Sequence, residues 1–154
     1  MALYLVQHGK SLPKEADPEQ GLSPEGFADV RRIAGVAAGY GVKPALIQHS
    51  GKKRAVETAE IFAEALLGDK SQTVPIQSIG PLDDVAAVAN ALEPGHHRMM
   101  VGHLPFMERL AGFLAAGSTE RVVFKFQNGG IVCLDKTPDS RWWFIKWALM
   151  PRID

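Results

Sequence analysis

Gln7-His8-Gly9-Lys10 sets an imidazole directly after an apolar run, Ala2-Leu3-Tyr4-Leu5-Val6. The run reads as a strand, and a strand end is a rigid mount. The glycine that follows lets the backbone turn sharply and come close to a ligand. An imidazole held this way suits a nucleophile or an acid/base group. A second histidine has the same setting, in Met99-Met100-Val101-Gly102-His103-Leu104-Pro105. Two histidines at strand ends imply one shared site.

Two further segments bring polar side chains to such ends. His49-Ser50-Gly51-Lys52-Lys53-Arg54 follows a short apolar stretch at 45–48, and Pro81-Leu82-Asp83-Asp84 precedes a helical pattern. In an open α/β sheet, ligands sit beyond the carboxyl ends of the strands. Imidazoles, cations, a helix N-terminus and a carboxylate gathered there suit an anion, and a phosphate above all. Each piece alone also has a plain structural reading: Lys52-Lys53-Arg54 as a solvated helix start, Asp83-Asp84 as a helix cap, His96-His97 as loop surface. Order and spacing together are more specific than any one of them.

These residues need elements to carry them. After the polar, proline-bearing loop at 12–22, Ser23-Pro24-Glu25 has the signs of a helix start: a capping serine, a proline at the first helical position and an acid at the positive end of the dipole. Phe27, Val30, Ile33, Ala34 and Ala37 recur at helical spacing, and Gly39 and Gly41 end the pattern. Residues 45–48 read as a buried strand. A helix from 51 or 52 to 67 follows, with Ala55, Ala59, Phe62 and Leu66 on one face and Gly68 as its stop. A third helix, capped by Asp83 or Asp84, runs to 92. A strand at 98–101 and a helix at 105–116 come next. The last third reads as strands at 121–126, 131–135 and 142–149, with Trp142, Trp143 and Trp147 taken into the core. Alternation of strand and helix predicts a three-layer α/β/α sandwich in one domain, 1–154. Its central sheet is mostly parallel, with antiparallel C-terminal strands at an edge.

Composition narrows the class. Lys and Arg total 17 and Asp and Glu total 17, so the chain lacks the basic excess of a general nucleic-acid binder. No apolar run reaches the ~18 residues of a membrane span, and no signal peptide opens the chain, so no membrane association is expected and a cytoplasmic location is. The one cysteine, Cys133, lies in the apolar run Gly130-Ile131-Val132-Cys133-Leu134 and reads as a small buried hydrophobe. The five histidines show no metal-ligand spacing.

The combined pattern resembles the histidine phosphatase superfamily, and within it the short SixA-type branch of phosphohistidine phosphatases; the resemblance covers most of the chain. The first strand with Gln7-His8-Gly9 is similar to the family's Arg-His-Gly signature. Leu22-Ser23-Pro24-Glu25-Gly26 resembles its Leu-Thr-x-x-Gly segment. Ser50-Gly51-Lys52-Lys53-Arg54-Ala55-Val56-Glu57-Thr58-Ala59 resembles its Ser-x-x-x-Arg-Ala-x-x-Thr-Ala segment, and Gly102-His103-Leu104-Pro105 its Gly-His-x-Pro segment. The resemblance implies a phosphoglycerate mutase-like fold. It makes His8 the phosphorylated nucleophile, Arg54 a phosphate clamp and His103 the second pocket histidine. Asp84, with Asp83 as its rival, is the candidate acid. Gln7, Gly9, Lys10, Ser50, Lys52 and Leu104 are candidate phosphate or substrate contacts.

The implied chemistry needs no cofactor and no metal. The implied partner is a phosphohistidine-bearing protein of a phosphorelay or phosphotransfer kind, with inorganic phosphate as product. The chain departs from the pattern at Gln7, which carries no charge where the signature has arginine. Two alternatives therefore stand beside the protein phosphatase: a phosphatase of small phosphomonoesters, and a catalytically weak phosphate-binding module.

Overall fold

The register between the first and fourth strands sets the two histidines side by side. A computed structural model describes residues 2–93 and 95–154. In it β1 (Ala2–Gln7) runs parallel to β4 (Arg98–Gly102), with Gln7 opposite Gly102. His8 and His103 are each the next residue along, so the sheet delivers both at one edge. The His8 amide donates to the Gly102 carbonyl at 3.0 Å, which extends the ladder by one bond.

The remaining elements are α1 (Pro24–Gly39), β2 (Leu46–His49), α2 (Lys53–Leu67), β3 (Val74–Pro75), α3 (Val85–Asn90), α4 (Phe106–Ala116), β5 (Ile131–Asp135) and β6 (Phe144–Leu149). The strands form one six-stranded sheet in the order β3-β2-β4-β1-β5-β6. β1 to β4 are parallel, and β5 and β6 join antiparallel beyond β1. Alternation along β1 divides the core in two. Tyr4 and Val6 pack with Val30, Ile33 and Phe62 of α1 and α2. Leu3 and Leu5 pack with Val85, Phe106 and Leu110 of α3 and α4. The expected three layers are present, with helices on both faces.

Local signals place the elements. Ser23 caps α1, its Oγ accepting the Gly26 amide at 3.0 Å. Gly68 and Gly117 end α2 and α4 at φ of 76° and 71°, a left-handed conformation that glycine enters without strain. Cys133 is buried in β5 beside Tyr4 in the register, and burial pushes its thiol up to about 11.

Several expectations are corrected. The predicted strand at 121–126 is an irregular connection. Both sides of β5 are already paired, and the segment rests on α4 instead: a Cβ at Gly112 would lie 2.2 Å from the Arg121 carbonyl. α3 stops at Asn90 rather than 92. A two-residue strand, β3, extends the β2 edge; Pro75, which lacks an N–H, limits its ladder. The tryptophans enter the core only in part: Trp143 and Trp147 are half-buried against it and Trp142 is outside it. Trp142 precedes β6 and is 42% exposed, with the Arg141 guanidinium over its ring at 4.7 Å. Trp147 is half-buried against Tyr4, ring centroids 5.9 Å apart. Among the described residues, no helix is long and apolar enough to cross a membrane.

Gly26 is the tightest point between α1 and the loop after His8. A Cβ there would sit 2.1 Å from the Lys10 carbonyl oxygen, which also accepts the Ser23 amide. Backbone cannot yield as a side-chain tip can. Gly26→Ala is therefore expected to destabilise the fold by about 1–3 kcal/mol despite alanine's better helix propensity; urea unfolding checks this.

Candidate active site

The backbone around His8 is held from four directions. The His8 amide is tied to β4, as above. The Gly9 amide donates to Thr58 Oγ1 at 2.9 Å, and that hydroxyl in turn donates to the Arg54 carbonyl at 2.7 Å. Asn128 Nδ2 donates to the His8 carbonyl at 3.0 Å, and the Gly129 amide to the Gln7 carbonyl at 2.8 Å. Gly9 is needed for close approach: a Cβ would meet Val30 Cγ2 at 2.7 Å and Leu22 Cδ2 at 3.0 Å. Thus α1, α2, β4 and the turn before β5 all converge on one residue.

The ring is fixed as well. His8 Nδ1 lies 2.7 Å from the Gly9 carbonyl oxygen. A carbonyl can only accept, so Nδ1 carries the hydrogen and the lone pair is on Nε2. The His103 ring stands 5.0 Å away, centroid to centroid, at 53°. Its Nε2 is 2.6 Å from Ser50 Oγ, and its Nδ1 is buried without a hydrogen-bond partner.

Burial holds His8 down at about 4; the bond to the Gly9 carbonyl opposes it, and the nearby Arg54 cation adds a smaller lowering effect. His103 is held lower, at about 3, by burial first, then by His8, Arg54 and Lys52. Both imidazoles are therefore neutral at physiological pH. These shifts also locate Arg54: its charge acts on both rings, from the first turn of α2.

The other predicted residues are placed as follows. Gln7 is 9% exposed, and its Oε1 is buried and unpartnered. Ser50 holds His103. Lys52 is exposed at the N-cap of α2. Lys10 is occupied, its Nζ 2.7 Å from Glu25 Oε2. Leu104 is half-buried against the α3/α4 core. Asp84 is an exposed cap whose Oδ1 accepts the Ala86 amide, and Asp83 accepts the Gly80 amide at 2.7 Å. Both carboxylates are thus engaged in local turn structure rather than bonded to either histidine. Sequence reasoning gave no role to Thr58 or Asn128. Thr58 stands in the α2 motif and Asn128 in the turn Asn128-Gly129-Gly130, but nothing local says that either reaches the His8 loop.

No protein-family model matches the chain, and no curated protein matches it in sequence. Solved structures do match. The protein histidine phosphatase SixA complexed with tungstate aligns at a TM-score of 0.80 and 22% identity, over 98% of this chain and 97% of that one. A candidate phosphohistidine phosphatase SixA from Agrobacterium tumefaciens aligns at 0.77 and 27% identity, over 97% of each. The fold is that of the histidine phosphatase superfamily. A mycobacterial glucosyl-3-phosphoglycerate phosphatase, solved with VO3, shares this fold at 0.69 and 16% identity, over 95% and 97%. In a superfamily fold of this kind, the site must still be argued from its own residues.

The low proton affinity of the pair has two measurable consequences. NMR titration is expected to show His8 and His103 protonating well below 6.5, with Arg54→Gln raising both values because a repelling charge is removed. Global stability should also depend on pH in the same window. Both folded values lie below the unfolded one, so between about 6.5 and 4 the unfolded chain binds more protons, and stability falls as pH drops. Thermal unfolding across this range is the check.

Proposed function

We propose that the protein is a metal-independent phosphatase that hydrolyses phosphohistidine on a partner protein through a phospho-His8 intermediate. The observation that carries this reading is the neutral His8 imidazole, its Nδ1 hydrogen held by Gly9 and its Nε2 lone pair free beside a second neutral imidazole and a guanidinium. The likeness to SixA structures supports it.

His8 Nε2 attacks phosphorus in line. The Nε2–P bond forms as the bond from phosphorus to the substrate's imidazole nitrogen breaks, and that nitrogen takes up a proton. Water then attacks the phosphoryl group on His8, releasing inorganic phosphate and restoring the neutral ring. Arg54 and His103 hold the phosphoryl oxygens. The incoming negative charge raises the proton affinity of both imidazoles, so His103 becomes a better hydrogen-bond donor as phosphate enters. Lys52 is better placed than Lys10 to replace the charge that Gln7 lacks. Lys10 is paired to Glu25, whereas the Lys52 charge is felt at His103. With Asp84 engaged as the α3 cap and Asp83 in the turn before it, no strong acid is assigned, and a protonated phosphoramidate leaves readily without one. That favours phosphohistidine over a phosphomonoester, whose alkoxide needs a proton to depart.

Incubation with a histidine-phosphorylated protein and with p-nitrophenyl phosphate, both with chelator, tests the proposal. Turnover is expected mainly on the first and unchanged by chelator. His8→Ala should abolish turnover and trapping of labelled phosphate, with circular dichroism unchanged. Activity near wild type in that variant overturns the nucleophile assignment, and loss on chelation restored by zinc or manganese overturns the metal-free mechanism.

Gln7→Arg adds a charged donor in place of a neutral one. Its expected effect is a rise in kcat of about tenfold, the difference between a charged and a neutral hydrogen bond. A wild type silent on every phosphohistidine substrate, and unrescued by Gln7→Arg, would instead favour a phosphate-binding module.

A further inference from the structure

The charges around His8 are distributed unevenly. On the side of α1, Lys10 is neutralised by Glu25, which also binds Arg152; Arg152 bridges on to Asp29 at 3.1 Å and Asp29 to Arg32 at 3.2 Å. Every cation of that chain has a carboxylate partner. On the opposite side lies a groove of about 460 Å³ between the loop after β1 and the start of α2, lined by Lys14, Glu19, Gln20, Lys52, Lys53 and Arg54 among others. Lys53 is ion-paired there, to Asp17 at 2.8 Å. Among the described residues, Lys14, Lys52 and Arg54 make no side-chain ion pair, and Glu19 is the one acid in the lining. In a chain of zero formal charge, this is a local surplus of cations, and it includes Arg54, whose charge acts on both histidines.

The groove wall is built in advance. Asp17 accepts the Glu19 and Gly21 amides at 3.1 and 2.9 Å, and Glu57 Oε1 accepts the Leu22 amide at 2.9 Å. The backbone at Gly21 lies so close to α2 that a Cβ would be 2.6 Å from Glu57 Oε1 and 2.8 Å from Lys53 Cε. The loop that carries Lys14 is therefore fixed to the helix that carries Lys52 and Arg54, and their charges converge without a closing motion.

We propose that this groove receives acidic side chains that flank the phosphohistidine on the partner protein, with Arg54 and Lys52 at its phosphate end and Lys14 at its outer rim. This rests on the phosphohistidine reading above. Lys14 is exposed and has no part in the chemistry, so it sets partner selection through long-range attraction. Such rim charges act on encounter and apparent affinity, and salt screens them.

The test uses three synthetic phosphohistidine peptides, flanked by Asp and Glu, by Ser and Gly, or by Lys, with p-nitrophenyl phosphate as a small control. The acidic peptide should show the lowest KM, at similar kcat, and its advantage should shrink between about 50 and 300 mM salt. Lys14→Glu should raise KM for the acidic peptide about five- to tenfold, lower it for the Lys-flanked peptide, and leave p-nitrophenyl phosphate hydrolysis unchanged. Equal kcat/KM on all three peptides, or no change in preference with Lys14→Glu, overturns the inference while leaving the phosphohistidine reading intact. Hydrolysis of p-nitrophenyl phosphate with no turnover of any peptide overturns that reading, and the inference with it.

Discussion

Partial withdrawal of two imidazoles from water, with His103 buried and His8 half-buried, is the constraint on which the site depends. A histidine in water titrates near 6.5 and would be partly cationic in a cell. Two such rings 5.0 Å apart, with a guanidinium nearby, would repel one another and lose their lone pairs to protons. Burial removes the charge instead. The sheet edge, the close contact of Gly9 with Val30 and Leu22, and the turn that follows Phe126 all serve to enclose His8. The cost of that enclosure is a pair of groups that resist protonation. In a nucleophile this resistance is useful, because the lone pair on Nε2 is available at any pH near neutrality.

Under the proposed function, a phosphoryl group reverses the balance: it brings negative charge into a space that holds two neutral rings and a guanidinium. Among the described residues Arg54 makes no side-chain ion pair, in contrast to Lys10 and Lys53, each of which is paired. Ser50 fixes His103 through Nε2 while leaving its buried Nδ1 unmet. An unmet buried polar atom costs roughly 1–3 kcal/mol. The fold tolerates it beside the proposed anion site, where stability and readiness for a ligand pull in opposite directions.

Much of this was legible in the sequence, because the strongest signals are local. The apolar run ending in His8, the capped start at Ser23 and the glycine stop at Gly68 each declare an element with few alternatives. The parallel order followed from alternation of strand and helix, and the pairing of the two histidines from their like positions at strand ends. What was not legible depends on contacts between distant residues. Residues 121–126 have strand-like composition, but β5 has no free side to offer them and Gly112 offers a bed on α4 instead. Asp84 is an acid candidate through the family resemblance alone, and the bond from the Ala86 amide to its Oδ1, which makes it the α3 cap, is a contact the resemblance does not report. Thr58 and Asn128 reach the His8 loop from 49 and 120 residues away in their hydrogen bonds, and no periodicity reports such a reach.

Gln7 gathers these threads. An arginine beside His8 would add a charge to a site that already lowers the proton affinity of both its histidines, and would need an anion to balance it whenever phosphate is absent. Glutamine, 9% exposed, avoids that need at the loss of a charged donor. The cations of this site, Arg54 and Lys52, stand at the start of α2, beside the loop pinned by Asp17 and Glu57. A cation at a half-exposed helix start faces solvent as well as the histidines. Under the proposed function, the same charges therefore meet both the phosphoryl group and its neighbours on the substrate.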